Sequence, residues 1–436
     1  MNRRPARRKR ITAGDSRWAV QQGNHLSEMG KRNESILTAI DIGSSKTVAV
    51  AVEITDAGLR YRGHGIAESR GSRKGAIVDL EKAVAAVKKA VDDAELAAEA
   101  PLESAVVGVS GPHIRGVTSQ GGLALGSRPR EISKEDVRLA VEKARAIPLP
   151  EDRMILHLLP QEFILDGQSG IRDPAGMVGR QLEVRVHMVT SAASATQNIV
   201  SAVNRASVQV DDTVYEALAA SDAALRGDDR ELGVCLVDIG AGSSDVIVFH
   251  EGVAVHSAVI PIGGDHFTND VAVGLRTPLA DAEKIKRQFG CAVVTNIPEQ
   301  NEIEVPSVGD RPSRLMQQRL LGEILEPRAR ELFEMLRDNL RQVGVFDMLG
   351  AGFVMTGGGA RLQGMQDVAE AVIRKPARVA SPLPIAKLPA NLAEPEYSTV
   401  LGLIFYAHRA RVLRGKEEQG FGAKLKSLFA RANLGL

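Results

Sequence analysis

The sequence predicts an α/β protein built from two related domains, and three observations predict it. A strand–Asp-x-Gly–strand unit occurs twice, at Asp41-Ile42-Gly43-Ser44-Ser45 and at Asp238-Ile239-Gly240-Ala241-Gly242, about 200 residues apart. Copies at that separation signal duplicated domains rather than a stacked solenoid. β-rich runs alternate with helical periodicity along the chain. Finally, 436 residues exceed what a single core usually holds.

The elements follow in order. Ile36-Leu37-Thr38-Ala39-Ile40 predicts a strand, the first glycine loop follows it, and 48–54 continues as a second strand. A turn at Asp56-Ala57-Gly58 leads to a third strand near 59–66. Leu80, Val84, Val87, Ala90 and Val91 mark a helix over roughly 79–98, and a strand at 105–110 ends at Gly111-Pro112. Residues 115–189 read as a separate small α/β module, whose one clear helix starts at the capping box Ser133-Lys134-Glu135-Asp136. A helix around 193–207, a strand at 208–210 and a helix from Glu216 lead to the second glycine unit. A third glycine cluster, Thr356-Gly357-Gly358-Gly359-Ala360, follows another buried strand. A helix over about 398–413 gives way to a hydrophilic linker at 414–420.

Composition narrows the function. Apolar residues at 44% and charged residues at 25% suit a soluble globular chain. Aromatics at 3% disfavour a base-stacking surface, and a formal net charge of +1 gives no overall pull on polyanions. For the chain as a whole, no nucleic-acid partner is expected. Cys235 and Cys291 have neither zinc nor redox spacing and fit a reducing cytoplasm. No apolar run approaches the length of about eighteen residues that suggests a membrane span. Arg3, Arg4, Arg7, Arg8, Lys9 and Arg10 precede no apolar stretch, so 1–34 reads as a disordered basic arm rather than a secretory signal. Such an arm serves anionic lipid, nucleic acid or nothing, and the residues leave that open.

The glycine loops carry the chemistry. Glycine lets backbone turn tightly and approach a ligand with no Cβ in the way. Backbone N–H groups around Gly43, with the hydroxyls of Ser44 and Ser45, are suited to cradle phosphate oxygens, and Lys46 adds a point charge. Gly240, Gly242, Ser243 and Ser244 offer the same donors in the second copy. A carboxylate repels phosphate, so Asp41 and Asp238 point to Mg2+ reached through water. One such loop is as readily a plain β-turn. Two facing each other would clamp the β- and γ-phosphates of a nucleotide. Neither copy has the Walker or Rossmann glycine pattern. Gly357, Gly358 and Gly359 suit a flat base or ribose lying against backbone. Thr277 as cap and Pro278 at the first position begin a helix on which Glu283, Lys286 and Arg287 share a face. That face either holds ribose and covers adenine, or is a solvated salt-bridging surface.

Together the loops resemble the phosphate-1, phosphate-2 and adenosine motifs of the actin, Hsp70 and sugar-kinase superfamily. Within it, about residues 35–436 resemble the FtsA family of bacterial division proteins. The stretches that carry this are Gly108-Val109-Ser110-Gly111-Pro112-His113-Ile114, His157-Leu158-Leu159-Pro160-Gln161-Glu162-Phe163, Arg172-Asp173-Pro174-Ala175-Gly176-Met177 and Glu304-Val305-Pro306-Ser307-Val308-Gly309. The resemblance implies a two-domain actin-like (ribonuclease H-like) ATPase fold, with a small α/β subdomain inserted in the first domain and a C-terminal amphipathic helix. The first domain would comprise 35–114, 190–230 and 396–413, with 115–189 inserted. The second would comprise 231–265 and 336–395, with 266–335 as its outer subdomain. ATP and Mg2+ are the implied cofactors. Glu216 sits where superfamily members often keep a carboxylate that orients water, so at most slow hydrolysis is expected.

The resemblance also implies assembly into protofilaments and docking of the C-terminal tail of FtsZ, the tubulin-like division protein, on 266–335. There Arg311, Arg314, Arg319, Arg328 and Arg330 suit an acidic peptide, or form a merely solvated helix face. The inserted module would meet further division proteins, on the cytoplasmic side of the inner membrane at the septum. An actin-like pilus-assembly protein and a superfamily kinase are the alternatives. Past the linker, Phe421, Leu425, Leu428, Phe429 and Ala432 recur on one helical face, with Lys424, Lys426 and Arg431 beside it. This pattern predicts an interfacial membrane foot. Each basic residue would contribute roughly 1 kcal/mol against anionic lipid, which makes one foot reversible and many feet firm.

Overall fold

A computed structural model describes residues 35–309 and 311–418. The arm 1–34 and the expected membrane foot, with Phe421, Lys424, Leu425, Lys426, Leu428 and Phe429, lie outside the described residues.

The first half opens with an antiparallel meander of β1 (Ile36–Ile42), β2 (Lys46–Thr55) and β3 (Gly58–Glu68). β1 and much of β2 bury successive residues because helices cover both faces of their sheet. After β3, a small hairpin of Ser72–Arg73 against Ala76–Ile77 fills the short gap. α1 (Leu80–Ala98) follows, with Asp79 accepting from the Lys82 N–H as its cap, and buries Ala83, Val87, Ala90 and Val91. β4 (Ser104–Val109) then returns parallel to β1.

The inserted module consists mainly of β5 (Arg115–Ala124), α2 (Lys134–Arg145), β6 (Arg153–Leu165), β7 (Gln168–Ile171) and β8 (Gln181–Ala192). Its sheet order is β7-β6-β8-β5, with a core around Val137, Phe163, Leu182 and Met188. α2 starts at the predicted capping box, with Ser133 and Asp136 bonded reciprocally. The chain returns through α3 (Ala193–Arg205) to β9 (Gln209–Tyr215), longer than the 208–210 expected, and to α4 (Glu216–Ala224).

The second half repeats the plan. After α5 (Gly227–Leu232) come β10 (Val234–Ile239), β11 (Ser244–His250) and β12 (Val253–Ile260) as a meander. An outer region follows: α6 (Gly264–Leu275), α7 (Leu279–Phe289), the hairpin β13 (Glu302–Val305) and β14 (Arg314–Gln317), and α8 (Gln318–Gln342). β15 (Gly352–Thr356), α9 (Met365–Ile373) and β16 (Ala377–Val379) complete the sheet, and α10 (Ser398–Glu418) crosses back to the first half. The large sheets run β9-β4-β1-β2-β3 and β16-β15-β10-β11-β12, the same order with corresponding strands in each place. The duplication predicted from the two loops is therefore present strand for strand.

Three boundaries differ from expectation. Arg276 closes α6 in the left-handed region, so Thr277-Pro278 is a two-residue link. α7 starts at Leu279 with Pro278 in the cap position, and the Thr277 hydroxyl is buried without a partner rather than capping. α10 runs to Glu418, through residues read as linker, because polarity alone does not end a helix and Lys and Glu are good helix formers. α8 continues across the boundary expected at 335.

Candidate functional site

The two Asp-x-Gly loops end β1 and β10 and meet across the junction of the halves. A Cβ on Gly242 would lie 2.7 Å from Ser44 Oγ and 2.6 Å from Lys74 Cα, so only glycine lets the loops approach this closely. Gly75, at the tip of the small hairpin, donates its N–H to Ser44 Oγ at 3.2 Å. Gly240 N–H bonds Ser243 O, which closes the second loop, and the N-terminus of α6 rests on that loop through Gly264 N–H to Gly240 O at 2.9 Å. Ser243 and Ser244 are buried there, whereas Ser45 is exposed.

Four carboxylates gather beneath the loops. Asp41 Oδ1 is buried without a hydrogen-bond partner; burial first, then Asp238, pushes this carboxyl up to about 7, against the pull of Lys46. Asp238 accepts from Thr399 Oγ1 at 2.5 Å, yet burial still holds it up at about 6. Asp245 accepts from Ser110 Oγ at 2.5 Å across the junction while its Oδ1 stays buried and unpartnered. Burial raises this group to about 8, with Asp238 and Asp41 adding to the rise. Glu216, the first residue of α4, is also raised, by burial and then by Asp41, Asp245 and Asp238. Among the described residues, no group of three or more metal-binding side chains closes on one ion. Unpartnered oxygens on acids that feel one another's charge nevertheless suit a hydrated cation held also by a ligand's oxygens.

Cations line the other side. Lys46 lies 3.3 Å from Glu396 and 3.7 Å from the centre of the Tyr397 ring. Burial lowers its pKa; Glu396 opposes the fall and the charge of Arg287 on α7 adds to it. Lys286 bonds Gly264 O at 3.0 Å and Thr268 Oγ1 at 2.8 Å and pairs with Glu283 at 2.6 Å. Both are therefore engaged with the α6 start beside the second loop. Gly357 lies so close to Asp238 that a Cβ would fall 2.3 Å from its Oδ1, and its N–H donates to Pro395 O. Gly358 and Gly359 follow in a short 3-10 turn. The structure thus brings Asp41, Gly43, Ser44, Lys46, Glu216, Asp238, Gly240, Gly242, Arg287 and Gly357 to one cleft.

Sequence reading missed Asp245, Ser110, Thr399, Glu396 and Tyr397. Asp245 carried a usable signal, an acid inside the apolar strand β11; the others lie far from any glycine loop. The arginine segment is different. Arg314 donates to Leu275 O at 2.6 Å, Arg319 pairs with Glu299, Arg328 with Asp270 and Glu331, and Arg330 with Glu326. Arg311 is exposed and has no ion pair among the described residues.

Two duplicated halves clamping a carboxylate-floored cleft define an actin-like protein of the ATPase fold. Solved structures agree. The type IV pilus protein complex PilM–PilN matches with a TM-score of 0.62 and 16% identity, over 85% of this chain and 98% of that one. MreB5 of Spiroplasma citri bound to ADP matches with a TM-score of 0.53 and 14% identity, over 89% and 100%. Sequence comparison goes further. The family model for cell division protein FtsA matches residues 235–402, and that for the SHS2 domain inserted in FtsA matches 111–190. Cell division protein FtsA of Pseudomonas aeruginosa is 42% identical over 372 residues, covering 85% of this chain and 89% of the relative. Those of Escherichia coli and Bacillus subtilis are each 37% identical, covering 88% of this chain and 93% and 86% of the relatives. The chain belongs to the FtsA family of cell division proteins.

Proposed function

We propose that this protein binds ATP with Mg2+ in the cleft and assembles on the membrane, where it anchors FtsZ filaments during division. The observation that supports nucleotide binding best is the apposition of Ser44 to Gly242, above the buried, unpartnered Asp41 Oδ1. Gly43, Ser44, Ser45, Lys46, Gly240, Gly242, Ser243 and Ser244 would hold the phosphates. Asp41 and Asp238 would hold Mg2+ through water, and Glu283, Lys286, Arg287 and Gly357–Gly359 would hold the adenosine. Bound Mg2+ supplies charge neutralisation for the phosphates. Glu216 would be the residue that orients a water, with slow turnover at most. Titrating the purified protein with a fluorescent ATP analogue, with and without Mg2+, tests this reading. It fails if Mg2+ does not increase affinity.

The membrane and partner roles rest on family membership and on the sequence of 421–436. Among the described residues no helix is long and apolar enough to cross a membrane, so attachment would be peripheral through Phe421, Leu425, Leu428 and Phe429. Polymerisation would then govern residence on lipid, and an assembly-deficient variant should pellet less with anionic liposomes. For the FtsZ tail, Arg311 is exposed and, among the described residues, has neither an ion pair nor the carbonyl contact that holds Arg314. Arg311→Glu should weaken co-sedimentation with that tail, whereas Arg314→Glu would also disturb the end of α6.

A further inference from the structure

The turn leading into α10, with the first residues of that helix, is tied to Asp238, to Thr356-Gly357 and to Lys46. Thr399 Oγ1 donates to Asp238, Ser398 Oγ is 2.6 Å from Thr356 Oγ1, and Gly357 N–H donates to Pro395 O. Glu396 stands at the centre of this turn. Its carboxylate is 3.3 Å from Lys46 Nζ and 3.5 Å from Arg361 Nη1, and it flanks Gly358. Lys46 is meanwhile seated on the Tyr397 ring, with Arg287 felt from the opposite half. Glu396 therefore bridges Lys46 and Arg361 at the point where the phosphate loop and the Gly357–Gly359 turn converge. A nucleotide would bring its own negative charge to the same cations.

We propose that Glu396 is an internal stand-in for phosphate, which holds Lys46 in the ligand-free protein and surrenders it when a nucleoside polyphosphate enters. This rests on the nucleotide-binding reading above. Lys46 and Glu396 have side chains only 26% and 19% exposed, so their pairing is partly shielded from water and competes measurably with an incoming anion. Arg361 keeps Glu394 as a second partner at 3.7 Å, so neutralising Glu396 does not leave the guanidinium alone. The turn is thus a determinant of how much anionic charge a ligand needs to bind, and triphosphates gain over monophosphates.

The sign of the effect of Glu396→Gln separates this role from a structural one. A residue that merely positioned Lys46 would, on losing its charge, weaken binding. A stand-in, on losing its charge, strengthens it. Full-length wild type, Glu396→Gln, Lys46→Met and the double variant are titrated with a fluorescent ATP analogue in Mg2+. Glu396→Gln is expected to bind roughly fivefold tighter, equivalent to about 1 kcal/mol, with the gain absent in the Lys46→Met background. Acylation footprinting without nucleotide is expected to label Lys46 faster in Glu396→Gln. Equal or weaker binding by Glu396→Gln, with wild type still binding, overturns the proposal and leaves the nucleotide site standing. Binding by neither protein removes the nucleotide site and the exchange together.

Discussion

The cleft and the arginine segment of the outer region make an instructive pair. Both gather charge, and they use it in opposite ways. Arg314, Arg319, Arg328 and Arg330 are near neighbours in sequence, and each is held by a carboxylate or carbonyl of the same chain. Asp41, Glu216 and the hairpin pair Asp238 and Asp245 come from three separate segments, crowd together, and leave Asp41 Oδ1 and Asp245 Oδ1 without partners. Like charges brought together by folding are costly unless something arrives to offset them. Charges that are close in sequence and already paired have less to offer a ligand. Unsatisfied charge, rather than charge density, distinguishes the two regions.

The comparison breaks most readily at Gly242. Any larger side chain there meets the Lys74 backbone and Ser44. Overpacking costs roughly 1–3 kcal/mol, so Gly242→Val should lower nucleotide affinity by up to about a hundredfold, read by titration with a fluorescent ATP analogue. A second test uses pH. Asp41 and Asp245 are raised to about 7 and about 8, so the folded chain keeps protons that the unfolded chain has released. Stability of the ligand-free protein should therefore fall as pH rises from about 4 to about 8. Thermal unfolding midpoints across that range measure this, and Asp245→Asn should flatten the slope.

In nucleotide titrations the arginine segment should be silent, and its internally paired members should respond in stability. Arg328→Met removes a two-pronged, partly exposed pair with Asp270 and should cost about 1 kcal/mol in denaturant unfolding, with nucleotide affinity unchanged. Arg311→Ala should move stability by less than about 0.5 kcal/mol. A large loss there would show that this exposed arginine is also tied to its own chain.

Much of the fold was legible because its signals are local. Glycine loops, a capping box and apolar spacing each reside in a few consecutive residues, and the repeat of one loop announced the duplicated sheet. The floor of the cleft was legible only where a loop contained it. Asp41 and Asp238 stand inside the motifs. Thr399 and Ser110 became visible only once α10 and the end of β4 were seen to converge on those acids. The Thr277 cap was misread because the left-handed Arg276 had already turned the chain, a backbone event with no side-chain signature. Lys286 and Glu283 lie near each other as their spacing predicts, yet their partners on α6 come from a different helix.

Tyr215 lends this architecture a mechanical property. It ends β9 in the first half, yet its hydroxyl lies within hydrogen-bond distance of the carbonyls of Val246 and Ala258 in the second, and accepts from the Val246 N–H at 3.2 Å. Fully buried beside Glu216, it ties the two halves together next to the carboxylates. Any rotation of one half against the other would first have to bend or break this buried link.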